Sequence, residues 1–85
     1  MSKNLIITGG SGSLGRYFVQ NFLKKKFKVF NLSRKKPKKI FENEKFFQCD
    51  LSNIKDVSKC LKVIKKSNKI DFIISCAGNS KKNYK

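Results

Sequence analysis

The sequence contains no histidine or tryptophan, and its three cysteines lie far apart, so several kinds of site are excluded. Cys49, Cys60 and Cys76 form no C-x-x-C pair, and without His they match none of the usual zinc-ligand spacings. The lack of His also excludes most catalytic triads. Each Cys lies in or beside an apolar run, and we interpret all three as reduced thiols that act as small buried side chains.

Long hydrophobic segments are also absent, since no uninterrupted apolar run exceeds four residues. A helix that crosses a bilayer needs about 20. The N-terminal residues Met1–Asn4 lead directly into an apolar strand, without the apolar core and cleavage site of a secretory signal. The sequence therefore predicts no membrane partner and a cytoplasmic location.

Acidic residues are scarce, with five Asp and Glu against 21 Lys and Arg and a formal net charge of +16. Such a charge favours anionic ligands, acidic membranes or nucleic acid. Only Arg16 and Arg34 are Arg, although specific phosphate and base recognition favours the guanidinium group. The Phe residues follow core periodicity rather than interleaving with the basic residues, which disfavours a nucleic-acid binder. We expect a solvated helix face for Lys55, Lys59, Lys62, Lys65 and Lys66.

The most informative stretch is Thr8–Gly15, which follows the apolar run Leu5–Ile7 and precedes apolar residues at helical spacing. Strand, glycine turn and helix start is the context in which G-x-G-x-x-G binds a dinucleotide. The amides and the dipole at the helix start form an anion site. The residues predicted to hold the diphosphate are Gly9, Gly10, Ser11, Gly12, Ser13, Leu14 and Gly15.

Alternating patterns continue along the chain and predict an α/β fold with an open parallel sheet. Strands are expected at residues 3–8, 27–32, 45–49 and 70–75, with helices at 13–24 and from Ser52 or Asn53 to about Lys66. The last strand is nearly continuous in apolar residues, as in a parallel strand covered on both faces. We expect a single domain over residues 1–79 and a polar tail over 80–85.

The residues at the end of the second strand predict which of the two nicotinamide dinucleotides, NAD or NADP, is preferred. NAD-preferring sites place Asp or Glu there, to accept from the ribose 2′-hydroxyl. This chain has Ser33 and Arg34 instead, which can donate to and grip a 2′-phosphate. We therefore predict NADP rather than NAD. The alternatives are a solvated basic loop over residues 34–39 and, less favoured, a targeting or nucleic-acid patch.

Three segments together resemble the short-chain dehydrogenase/reductase family: Thr8–Gly15, Asp50-Leu51 after the third strand, and Ser75–Gly78 after the fourth. The resemblance implies a Rossmann-like sheet of about four strands in the order 3-2-1-4. It also implies that Asp50 and Leu51 contact adenine and that Cys76, Ala77 and Gly78 lie beside the adenosine ribose. The glycine pattern T-G-x-x-G-x-x-G is typical of the extended, epimerase-like branch, whereas the other two segments favour the dehydrogenase branch, and both assignments stay open.

The family's catalytic Tyr with a Lys four residues later is not found in this sequence. Tyr17 is followed by Asn21 at that spacing, and we expect it to pack, while Tyr84 is expected to belong to the tail. The first hypothesis is thus the NADP-binding N-terminal part of an oxidoreductase, corresponding to about a third of a family member. The second is a non-catalytic nucleotide-binding or interaction module that pairs with another chain through its open fourth strand.

Overall fold

The computed structural model describes residues 3–76, which form four strands and two helices. In chain order these are β1 (Asn4–Thr8), α1 (Ser13–Lys24), β2 (Lys28–Ser33), β3 (Glu44–Gln48), α2 (Ile54–Ser67) and β4 (Phe72–Ser75). All strand pairs are parallel, and the sheet has the order β3-β2-β1-β4. The predicted Rossmann-like sheet and its strand order are therefore confirmed. Predicted site residues Ala77 and Gly78 and the predicted tail lie outside the described residues.

Side chains that alternate along the strands divide the core into two clusters, one on each face of the sheet. Ile6, Phe30 and Leu32 lie on one face with Ile64 of α2. Leu5, Ile7 and Val29 lie on the other face with Val19 of α1. The helices therefore cover opposite faces, as right-handed crossovers on either side of β1 require.

Helix α2 begins as its sequence predicts, because Asn53 is its N-cap. The Asn53 Oδ1 accepts from the backbone N–H groups of Lys55 at 3.0 Å and Asp56 at 3.2 Å. The five Lys residues predicted to lie on its solvated face are all exposed. Neither helix within residues 3–76 has the length and apolarity needed to cross a bilayer.

Three expectations about packing are wrong. Tyr17 is 62% exposed, because α1 turns Gly15 and Val19 toward the sheet and leaves Tyr17 outside. Strand β4 is not covered on both faces, since Phe72 is 49% and Ile73 58% exposed. Of the three thiols only Cys49 is fully buried, while Cys60 and Cys76 are half-buried. The strand bounds differ by one or two residues from the expected ones.

Candidate functional site

A groove of about 890 Å³ lies at the carboxyl ends of the strands. It opens beside β1, where the chain crosses from β2 on one side to β4 on the other, and open parallel sheets bind their ligands at such a switch point. The loop between β1 and α1 forms one wall, while the ends of β2 and β4 and the segment after β3 form the others. The lining residues are Gly9, Ser11, Gly12, Ser13, Leu14, Gly15, Ser33, Arg34, Lys35, Leu51, Ser52, Ser75 and Cys76.

The glycines of the loop allow a turn that other residues would block. Gly9 has φ +79°, in the left-handed region where a side chain is disfavoured. A Cβ on Gly15 would lie 2.0 Å from the carbonyl oxygen of Gly9, and one on Gly10 would lie 2.5 Å from Oδ1 of Asn31. These three positions shape the loop and pack α1 closely against it.

Gly12 differs, because the fold itself leaves room for a side chain there. A Cβ on Gly12 would meet no atom closer than the Gly9 carbonyl oxygen at 3.8 Å, and its φ of −80° is accessible to any residue. Gly12 itself lines the groove. Gly12 therefore fits a ligand that must approach the backbone itself, as the diphosphate of a dinucleotide does.

The N-terminus of α1 faces the groove with its first amides uncapped. Gly12 is the N-cap, it has no side chain to accept from these amides, and the first turn contains no acidic residue. The first intrahelical bond runs from the N–H of Arg16 to the Gly12 carbonyl at 2.8 Å. The amides of Ser13, Leu14 and Gly15, together with the helix dipole, are thus arranged to bind an anion.

The end of β2 brings two cations to the groove. Arg34 and Lys35 are both exposed and both line it. Ser33 also lines the groove, but it is buried and its hydroxyl is occupied within the protein. It donates to Asn31 Oδ1 at 2.7 Å and accepts from the Ser11 N–H at 3.2 Å. Arg34 and Lys35 are therefore the groups free to meet a further phosphate.

The segment after β3 carries Asp50 and Leu51. Leu51 lines the main groove, whereas Asp50 lines a neighbouring cavity of about 420 Å³ that also contains Arg34. The hydroxyl and the backbone N–H of Ser52 both donate to Asp50 Oδ1, at 2.7 and 3.0 Å. These bonds, with a smaller contribution from the charge of Arg34, hold the pKa of Asp50 below its usual range, so this carboxylate stays ionised.

The end of β4 closes the groove with Ser75 and Cys76. The Thr8 hydroxyl donates to Ser75 Oγ at 3.2 Å across the β1–β4 pair. Partial burial raises the pKa of Cys76, which is therefore a neutral thiol at physiological pH. This wall offers no charged group.

The structure thus gathers most of the predicted site residues around one groove. Two of the described ones do not line the groove: Gly10 is buried within the loop, and Asp50 lines the adjoining cavity. Sequence reasoning missed Lys35, Ser52 and Ser75, although each adjoins a predicted residue.

It also missed a buried polar network under the glycine loop, centred on Glu44. The Glu44 side chain is fully buried and forms a salt bridge with Arg16. The buried polar residues of β2, Asn31 and Ser33, belong to the same network. Polar residues inside an otherwise apolar strand are the sequence signal that could have indicated it.

Comparisons with known proteins place this site in a family. The model of the NAD dependent epimerase/dehydratase family matches residues 5–84. The sterol-4-alpha-carboxylate 3-dehydrogenase (decarboxylating) of Dictyostelium discoideum is 31% identical over 81 residues, which cover 95% of this chain and 24% of that protein.

Solved structures agree with this match. A short-chain dehydrogenase from Leptospira borgpetersenii with bound NAD+ superposes with a TM-score of 0.84 at 30% identity, covering 92% of this chain and 32% of that one. ElxO with bound NADP gives a TM-score of 0.76 at 29% identity, covering 92% and 36%. The chain therefore spans about a third or less of these relatives.

Fold, glycine loop and groove define the class as the Rossmann-like part of a short-chain dehydrogenase/reductase. Within that class, the chain belongs to the NAD-dependent epimerase/dehydratase family. This match agrees with the glycine pattern of the extended branch, one of the two branches that the sequence left open.

Proposed function

We propose that residues 1–79 of this chain bind a nicotinamide dinucleotide and prefer NADP(H) to NAD(H). The observation that carries the proposal is the open space at Gly12 beside the uncapped N-terminus of α1. It fits a diphosphate, and the two relatives with bound dinucleotide support the same ligand class.

The preference for NADP(H) rests on the end of β2. No carboxylate among the described residues lines the main groove, while Arg34 and Lys35 do. A 2′-phosphate at this point would meet a guanidinium that can bind it with two donors, and no acidic group in the groove would repel it.

The remaining predicted residues complete the proposed binding mode. Adenine lies near Asp50 and Leu51, and the adenosine ribose lies toward Cys76 and toward Ala77 and Gly78, which are outside the described residues. The bound nicotinamide supplies hydride chemistry, and the residues of this chain bind and orient the cofactor. Tyr17 has Asn21 rather than Lys four residues later, so we propose that residues 1–79 supply cofactor binding and not the family's catalytic Tyr–Lys pair.

The first test is a titration of the 85-residue chain with NADPH and NADH, followed by nucleotide fluorescence. We expect tighter binding of NADPH. Arg34→Ala removes a charge-assisted contact with the 2′-phosphate and should weaken NADPH binding about tenfold, while NADH binding stays nearly constant.

Lys36→Ala is the matched control, because Lys36 is an exposed cation two positions away that does not line the groove. It should leave both affinities unchanged. Equal affinities for NADPH and NADH in the unsubstituted chain would refute the preference, and binding of neither would refute the proposal as a whole.

A second candidate function is association between copies of the chain through β4. Within residues 3–76 this strand pairs only with β1, and its Phe72 and Ile73 are about half exposed. An open apolar strand edge is a template for pairing with another strand.

A further inference from the structure

The glycine loop is held by a network of polar residues from β2, β3 and α1. Glu44, at the start of β3, forms the one salt bridge found within residues 3–76, and its side chain is fully buried. Its partner Arg16 lies in α1, and the Arg16 side chain is 22% exposed. Burying a carboxylate costs free energy unless several hydrogen-bond donors surround it, so the groups around Glu44 must be held close to it.

Four donors surround the Glu44 carboxylate. Arg16 binds it with both terminal nitrogens, Nη1 to Oε1 at 3.2 Å and Nη2 to Oε2. Asn31 Nδ2 donates to Oε2 at 3.1 Å, and the backbone N–H of Phe41 donates to Oε1 at 3.0 Å. The turn before β3, with Asn43 at φ +71°, brings Phe41 and Glu44 together.

The two side chains held by Glu44 both contact the glycine loop. Arg16 Nε donates to the Gly10 carbonyl at 3.0 Å. Asn31 donates to Ser11 Oγ at 3.2 Å and accepts from Ser33 Oγ, which in turn accepts from the Ser11 N–H. Three groups of the loop are thus hydrogen-bonded: the Gly10 carbonyl, the Ser11 hydroxyl and the Ser11 amide. Each is connected to Glu44 through Arg16 or Asn31.

The same pairing keeps Arg16 away from the ligand. Arg16 belongs to the first turn of α1, yet it does not line the groove. Its guanidinium lies over the Phe41 ring, 5.1 Å from the ring centre, and also donates to the Lys39 carbonyl at 3.1 Å. Arg16 therefore contacts the loop on the side away from the groove. The groups that can bind an anion in the groove are the amides of α1 and Arg34.

We infer that Glu44 and Arg16 are positioning residues of the dinucleotide site, which hold Gly10 and Ser11 in the geometry that accepts the diphosphate. The inference rests on the proposed function. It assigns part of the cofactor affinity to a carboxylate that has no contact with the groove.

The test compares two variants of the 85-residue chain. Glu44→Gln keeps the shape but leaves Arg16 without a counter-charge, and we expect about tenfold weaker binding of ADP-ribose, measured by calorimetry. The double variant R16M/E44L replaces both charged residues by apolar residues of similar volume, so that no buried charge is left unpaired. Asn31 Nδ2 and the Phe41 N–H each lose an acceptor, so we expect a lower thermal midpoint. At a temperature where this variant is folded, we expect its ADP-ribose affinity to be about tenfold lower.

If the pair positions the loop, the folded variant binds ADP-ribose more weakly. If the pair only supports the fold, the thermal midpoint falls and the affinity of the folded variant stays normal. Amide resonances of residues 10–12 provide a second measurement, and they should shift in the unliganded R16M/E44L variant while those of β4 do not. Glu42→Gln is the matched control, since Glu42 is an exposed carboxylate two residues from Glu44. It should change neither quantity.

Ser11→Ala keeps the ion pair and removes only the hydroxyl that Asn31 contacts. It should weaken ADP-ribose binding in a chain with normal stability, which covers the case in which the Glu44 variants fail to fold. Normal affinity with unshifted loop amides in folded R16M/E44L, or normal affinity in Ser11→Ala, would overturn the inference. Failure of the unsubstituted chain to bind ADP-ribose and NADPH would instead overturn the proposed function, and the loop amides would still report on the network.

Discussion

Gly12 and Gly15 lie three residues apart in the same motif but are required for different reasons. At Gly15 a Cβ would overlap the Gly9 carbonyl at 2.0 Å, so the requirement comes from the fold. At Gly12 the nearest atom is 3.8 Å from the Cβ position, so the fold itself does not require glycine there. In the proposed binding mode, the motif thus combines a glycine needed for stability with a glycine needed for the diphosphate.

This difference predicts opposite effects of two alanine substitutions. Gly15→Ala forces overlap with backbone atoms, and we expect a loss of stability at or above the upper end of the roughly 1–3 kcal/mol typical of overpacking. Gly12→Ala should cost only about 0.5–1 kcal/mol, because Ala is a poorer N-cap than Gly, while ADP-ribose affinity falls at least about tenfold. Urea denaturation and calorimetry measure the two quantities. Unchanged stability of Gly15→Ala, or normal binding by Gly12→Ala, would contradict this assignment.

The two edges of the sheet differ at the scale of the element. The outer strand β3 exposes Lys45 and Gln48, and polar or charged side chains of this kind discourage edge-to-edge pairing. The other outer strand, β4, exposes Phe72 and Ile73. Lys3 lies over the Phe72 ring at 5.8 Å and shields only part of this surface.

We therefore expect the chain to self-associate through β4 at high protein concentration, in salt that screens the repulsion between copies. Ile73→Lys should yield a monomer in sedimentation velocity, because it places a charge on the open edge. Val63→Lys is the matched control, since Val63 is 56% exposed against 58% for Ile73 and belongs to α2 rather than to the edge strand. A monomeric unsubstituted chain, or equal dissociation by both variants, would contradict association through this edge.

Charge is the dominant property of the whole molecule. A formal net charge of +16 on 85 residues opposes the compact state through self-repulsion. The described part of the chain contains one salt bridge, and it is at the buried Arg16–Glu44 pair rather than on the surface. Most of the repulsion is therefore between exposed Lys side chains, which salt screens efficiently.

Stability should accordingly rise with ionic strength. We expect the thermal midpoint to increase by about 4–8 °C between low salt and roughly 0.15 M sodium chloride, if screening contributes about 1 kcal/mol. Circular dichroism at 222 nm measures the midpoint. Replacing the exposed Lys59, Lys62 and Lys66 of α2 by Gln should raise the low-salt midpoint and reduce the response to salt. A midpoint that is independent of salt would show that the charge does not limit stability.

Elements with strong local patterns could be predicted from the sequence. The apolar run of β1, the alternation in β2, the cap at Asn53 and the strand–glycine–helix order of residues 4–24 are all local, so the fold and the groove followed from them. The exposure of Tyr17 could not be predicted, because the direction in which α1 lies on the sheet decides it. The role of Glu44 is likewise not local, since Arg16 of α1 and Asn31 of β2 approach it only after β2 and β3 have paired and α1 has packed.

The position of Glu44 in the chain sets a minimum size for a working site. Residues 3–34 contain the whole glycine motif and Arg34, and form a complete strand–helix–strand unit. Cut out alone, that unit would lack the carboxylate that holds Arg16 and Asn31 against the loop. The shortest excised segment that could keep the conformation of the glycine loop therefore extends to Glu44, at the start of β3.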